Sequence, residues 1–310
     1  MKYFDLHCDT ATQCWEKHSG LREARGHVSL QKASRFENWA QVFAVFVDDK
    51  RRGEEAWQWF QNVSSLFADE MERNSDIASF CRSSADIRRA AADAKEIGLL
   101  SIEGSAALAG KMEHLQEAWA AGVRLITLTW NGRCEAGDGC LAENAGGLTP
   151  FGFELVREMN RCGMIVDVSH LSEKGFWDVA RAAQRPFAAS HSDSKAVCGN
   201  VRNLTDSQFR EIVKGGGLVG INFYRAFLSD SAENASPEDI VRHIDHFLHL
   251  GGEKILAMGS DFDGCELPNG IRGQEDMESL YAFVCREFGQ EMADAIFWGN
   301  AYRFFTENLQ

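Results

Sequence analysis

Short, near-continuous apolar runs separated by longer amphipathic stretches recur eight times along this chain, and nothing else in it constrains the fold as much. The runs fall at 3–7, 41–47, 98–103, 124–129, 164–168, 186–190, 217–222 and 255–260. A strand with one wet face alternates polar and apolar residues. Most of these runs do not, so they read as strands buried on both faces, as in a parallel sheet covered by helices. Helical periodicity fills the intervals, at 54–72, 151–162, 173–183, 237–250 and 277–288, where Ser236 and Pro237 suit a cap and a first helical residue. No Ser/Gly linker divides the 310 residues and only four prolines occur. The pattern predicts an α/β fold, a single (β/α)8 barrel over 1–310. Two longer excursions are expected: 48–95, mostly helical by pattern, and 131–147, a Gly-, Asn- and acid-rich loop after the fourth strand.

Composition narrows the partners. With 46 acidic and 32 basic residues the formal net charge is −14. That argues against nucleic acid and anionic membranes, which attract Lys/Arg clusters. Nine scattered cysteines with no CxxC pair read as reduced thiols, hence a cytoplasmic location. No leader, no run of about 18 apolar residues and no hydrophobic tail is visible, so no membrane association is expected.

Chemically capable residues gather at the ends of the predicted strands: His7 and Asp9 after the first, Glu103 at the third, His170 after the fifth, His191 after the sixth, Asp261 after the eighth. In an α/β barrel these ends share one mouth. Imidazoles and carboxylates suit borderline cations such as Zn²⁺. In an extended His-x-Asp both side chains leave one face, so His7 and Asp9 can reach one ion, with Cys8 pointing into the core. Glu103 is placed to bridge two ions, and two ions can activate a shared water and polarise a carbonyl. His243, His246 and His249 share helical spacing but lie away from strand ends and are assigned solvated or packing roles, as Trp57, Trp59 and Phe60 are assigned to the core.

The runs Asp5–Thr10, Ser101–Gly104, Leu148–Gly152, Asp167–His170, Ser190–Ser192, Val201–Leu204 and Gly259–Gly264 resemble the membrane (renal) dipeptidase family of metallopeptidases, in family order from about residue 3 to 306. The resemblance implies two zinc ions, replaceable by Co²⁺ or Mn²⁺. His7 and Asp9 would hold one ion, His170 and His191 the other, and Glu103 would bridge them. It further implies Asp261 as acid/base, Arg202 on the substrate's C-terminal carboxylate, Tyr224 near the substrate, and a homodimer. The animal enzymes have a His where this chain has Trp130, an indole that can only donate. Trp130 is therefore expected to form a wall of the substrate pocket. The expected activity is hydrolysis of dipeptides with a free C-terminal carboxylate, with low side-chain selectivity and tolerance of a D-residue at the C-terminal position. The alternative is an amidohydrolase acting on N-acyl amino acids, lactones or cyclic amides. A non-catalytic barrel should have lost ligands, and none is missing.

Overall fold

The computed structural model describes residues 1–310. Its nine strands, all paired in parallel, are β1 (Tyr3–Cys8), β2 (Trp39–Phe46), β3 (Ala78–Phe80), β4 (Glu96–Glu103), β5 (Val123–Thr127), β6 (Ile165–Asp167), β7 (Ala188–Ala189), β8 (Leu218–Ile221) and β9 (Leu256–Met258). The sheet runs β2-β1-β9-β8-β7-β6-β5-β4-β3, and β2 also pairs with β4, which closes eight strands into a (β/α)8 barrel. Each predicted run coincides with one of those eight.

Two expectations need correction. The excursion 48–95 contains two helices, Gly53–Arg73 and Ser84–Ala92, but also β3, which pairs with Glu96–Gly98 where β4 has not yet met β5. The run at 186–190 shortens to Ala188–Ala189, and at its far end Ser190 leaves the ladder. Its N–H donates to Asp167 Oδ1 at 2.8 Å and its hydroxyl to Asp167 Oδ2 at 2.6 Å.

Register explains the two-sided burial. Phe4, Ala40, Ile97, Leu99, Leu125, Ile165, Ala188, Leu218 and Ala257 join one apolar cluster with Phe304, Phe305 and Leu309 of the last helix, Asn300–Asn308. These are inward residues of the lower barrel, and the last helix closes the floor. The opposite faces, with residues such as Phe43, Ile102, Ile126, Val166 and Met258, pack under the surrounding helices in a larger cluster. The lower interior is thus filled with side chains, and only the mouth is available for polar chemistry.

The excursion after β5 is a loop, as expected, tied by single bridges Arg133–Asp138, Gly137–Leu148 and Gly139–Leu171. It ends at Thr149, whose hydroxyl accepts from the Gly152 N–H at 3.1 Å and caps the helix Pro150–Cys162, with Pro150 in the first turn. A Cβ on Gly152 would meet the Ala136 carbonyl, so glycine there lets the loop lie on the helix. Helix Pro237–His249 begins on the Ser236 capping box.

Candidate active site

The strand ends bring His7, Asp9, Glu103, His170, His191 and Asp261 together, all buried except the half-buried Asp261. Glu103 lies at the centre. Its Oε1 is 2.8 Å from His170 Nε2 and 3.6 Å from His191 Nε2, while Oε2 is 3.4 Å from His7 Nε2. His7 Nε2 is 4.0 Å from Asp9 Oδ1. The ligand-capable atoms of His7, Glu103 and His191 lie within 4.8 Å of one another, as do those of His7, Asp9 and Asp261. The carboxylate of Glu103 therefore turns one oxygen to each of two histidine groups.

His7 and Asp9 arrive together by a route that simple alternation does not describe. The β1–β2 register shifts between Asp5 and Cys8. Leu6 packs in the barrel interior and His7 also faces Glu103, so two successive residues point inward. The Asp5 carboxylate fixes this bulge, accepting from the His7 and Ser260 N–H groups at 3.2 and 2.9 Å and from the Tyr3 hydroxyl at 2.7 Å. Asp9 is the residue before the helix Thr10–Glu16 rather than a strand residue. Cys8 is buried in the outer core, as expected.

The histidines are oriented from behind. His170 Nδ1 lies 2.9 Å from Asn131 Oδ1, an acceptor, so it carries the proton. His191 Nδ1 lies 2.7 Å from Ser190 Oγ, whose own hydrogen goes to Asp167. Both Nε2 atoms then present lone pairs, yet they are 2.9 Å apart and face Glu103 Oε1. Two lone pairs and a carboxylate oxygen converging without a hydrogen repel unless a cation lies among them. Both ring nitrogens of His7 and Asp9 Oδ1 are buried without hydrogen-bond partners as well. An unpaired buried polar atom costs about 1–3 kcal/mol, so this donor set fits metal ions and is poorly satisfied without them.

Electrostatics agree. Burial opposes charge on His7, but the Glu103 carboxylate outweighs it and raises the imidazole to about 10. Burial also raises Glu103, and His7, His170 and His191 together hold it well below the usual carboxylate range. Burial, helped by the Arg202 charge, drops His170 to about 4. Burial and the neighbouring His7 lower His191. Metal binding at His7 would replace its proton. Burial raises Asp261 to about 6 against the pull of His7. Its Oδ2 accepts from Asn222 Nδ2 at 3.1 Å.

Asp261 (φ 60°) and His170 (φ 67°) are both left-handed. That conformation costs roughly 1–2 kcal/mol for a residue with a Cβ, and such strain concentrates at functional sites.

Two cavities meet at His170. One, of about 280 Å³, is lined by Asp9, Glu103, Trp130, Tyr224 and Asp261, with Glu16 exposed. Trp130 packs edge-on against Phe46, with centroids 5.0 Å apart. The other, of about 470 Å³, holds Arg202, Lys195 and Lys174. Arg202 thus lines the adjoining cavity rather than the one with most of the metal-ligand candidates. It is buried, donates to the His191 carbonyl at 3.2 Å, and leaves Nε without a partner. His243 is a packing residue, as expected: Nδ1 accepts from the Ser194 N–H and Nε2 contacts the Leu228 carbonyl, each at 3.0 Å. Asn131, Asp167, Ser190 and Asn222 are the supports that strand-end reasoning did not single out. Asp167 and Ser190 open two of the runs that carry the family resemblance, whereas for Asn131 and Asn222 the only signal was their position at or beyond a strand end.

A family model described as membrane dipeptidase (peptidase family M19) matches residues 1–310. An uncharacterized protein of the pqqA 5′ region of Klebsiella pneumoniae is 37% identical over 257 residues, 80% of this chain and 93% of that one. The dipeptidase tcpJ of Claviceps purpurea is 29% identical over 98% of this chain and 73% of its own length. A metallo peptidase of Rhodobacter sphaeroides, crystallised with a phosphinate mimic of the dipeptide L-Ala-D-Ala, superposes with a TM-score of 0.93 at 26% identity, over 100% of this chain and 99% of that one.

Proposed function

This chain belongs to the membrane dipeptidase family, peptidase family M19, and from that premise we propose that it is a two-zinc dipeptidase acting on dipeptides with a free C-terminal carboxylate. The observation that carries the proposal is Glu103, whose two oxygens face separate histidine groups with unsatisfied lone pairs. His7 and Asp9 would hold one ion and His170 and His191 the other, with Glu103 shared. Three imidazoles with carboxylates suit Zn²⁺, and Co²⁺ or Mn²⁺ would substitute. Bound there, the cations would supply Lewis acidity for attack on a peptide carbonyl.

The remaining roles belong to the chain's own side chains. Asp261, half-buried beside His7 and steadied by Asn222, would take the proton of the attacking water and return it to the leaving amine. Arg202 would bind the C-terminal carboxylate through its free Nε edge. Trp130 and Tyr224 would wall the substrate. The charges give the substrate a direction. Exposed Glu16, which no ion would claim, lines the first cavity, where a free α-ammonium would sit, and cations line the one beyond His170. An N-acyl amino acid has no ammonium to use the acidic end, which favours the dipeptide over the amidohydrolase reading.

The whole chain would then act as one catalytic domain. Nine free cysteines support a reducing, cytoplasmic compartment, and no helix is long and apolar enough to cross a membrane. A homodimer is carried only by the family resemblance. A panel of L,L- and L,D-dipeptides, N-acyl amino acids and lactones tests the function. Dipeptide hydrolysis abolished by chelation and restored by Zn²⁺ is expected. Turnover of only the N-acyl compounds or lactones would replace it with the alternative.

A further inference from the structure

The cavity beyond His170 holds more positive charge than one substrate carboxylate requires. Lys195 and Arg202 come from two segments locked side by side. Ser194 and Leu204 form a parallel bridge, the Lys195 N–H donates to the Leu204 carbonyl at 2.8 Å, and the Leu204 N–H donates to the Asp193 carbonyl at 2.8 Å. Both side chains line the same 470 Å³ space, with Lys174 across from them on the helix Glu173–Ala182. Lys195, Arg202 and Lys174 form no ion pair. Glu173 is the one acid lining the cavity, and it is exposed. Arg202 is buried with Nε unpartnered.

We propose that this cavity is the subsite for the side chain of the substrate's C-terminal residue, and that Lys195 makes it select an acidic one, Asp or Glu. The inference rests on the dipeptidase reading, which assigns Arg202 to the main-chain carboxylate. With that cation engaged, Lys195 remains for a second carboxylate held in the same half-enclosed space. A charge-assisted bond there discriminates between substrates that present the carboxylate and isosteres that lack it. The apolar walls at Leu171 and Trp177 accommodate the methylenes of a Glu side chain.

The pair Ala-Glu and Ala-Gln tests this, because the two differ by one charge at nearly constant shape. The zinc-loaded enzyme should show kcat/KM higher for Ala-Glu by roughly ten- to a hundredfold, the scale of one such bond. Lys195→Met should bring that ratio close to one, Lys195→Arg should keep most of it, and Lys195→Glu should shift preference toward Ala-Lys. Equal rates for Ala-Glu and Ala-Gln in the unmodified enzyme, with neutral dipeptides cleaved, would overturn this inference and leave the dipeptidase reading standing. A preference that survives Lys195→Met would also overturn it. Cleavage of no dipeptide at all would overturn both.

Discussion

At the floor of the barrel the strands point Phe4, Val42, Leu99 and Ile165 inward, and the last helix seals them with Phe304, Phe305 and Leu309. A few residues further along the same strands, the inward positions are His7, Glu103 and Asp167. Both ends are buried, but their energetics oppose each other. The floor gains from every apolar area it covers. The mouth holds carboxylates and imidazoles out of water with unpaired atoms, and keeps His170 and Asp261 in left-handed backbone. The floor therefore stabilises the barrel while the mouth draws on that stability, and substitutions at the two ends should separate activity from folding.

The sharpest separation is expected at Asp261. Asp261→Asn should lower kcat by about 10² to 10⁴, the range of acid/base assistance. The melting temperature should hold or rise, because an amide loses no charge on burial. A variant that melts early would mean that Asp261 supports the fold instead. Phe305→Ala is the converse. Phe305 is fully buried and stacks on Phe4 with centroids 5.1 Å apart. Its truncation should cost about 3–5 kcal/mol in denaturant unfolding, while the folded, metal-loaded fraction keeps its kcat/KM. A large change in KM there would erase the distinction between floor and mouth.

Arg202→Ala should act on binding. The expected loss is about 1.5–3 kcal/mol in kcat/KM, appearing mainly in KM, because a carboxylate clamp serves ground and transition states alike. Unchanged dipeptide kinetics would remove Arg202 from the substrate. Trp130→Phe should have the smallest effect, under about 1 kcal/mol in kcat/KM, since it keeps the wall against Phe46 and loses one N–H donor. Trp130→His should raise kcat on dipeptides by replacing a neutral N–H with a donor that is stronger when protonated. No kinetic change from either substitution would make Trp130 a packing residue.

What was legible in the sequence follows from the same contrast. Strands buried on both faces advertise themselves as apolar runs, so all eight barrel strands and the closed fold could be read directly. Histidines and acids at the ends of such runs stand out against them, and so the polar cluster that gathers at the mouth was visible. Four features were not. Strand β3 is three residues long and fills a temporary edge of β4, a property of its neighbour rather than of its own composition. The inward turn of His7 depends on a register shift fixed by Asp5, which periodicity alone cannot reveal. Asn131, in the predicted loop, and Asn222, the last residue of a predicted strand, are ordinary asparagines until folding puts them against His170 and Asp261. Lys195 likewise gains meaning only from its bridge to the Arg202 segment.

The central claim is that Glu103 is shared between two metal ions at the mouth. Elemental analysis of fully active protein, set beside Glu103→Ala prepared identically, tests it most directly. Two divalent ions per chain are expected in the unmodified enzyme, with more than one lost and hydrolysis abolished in the variant. Active protein free of metal, or Glu103→Ala retaining both ions, would contradict the account.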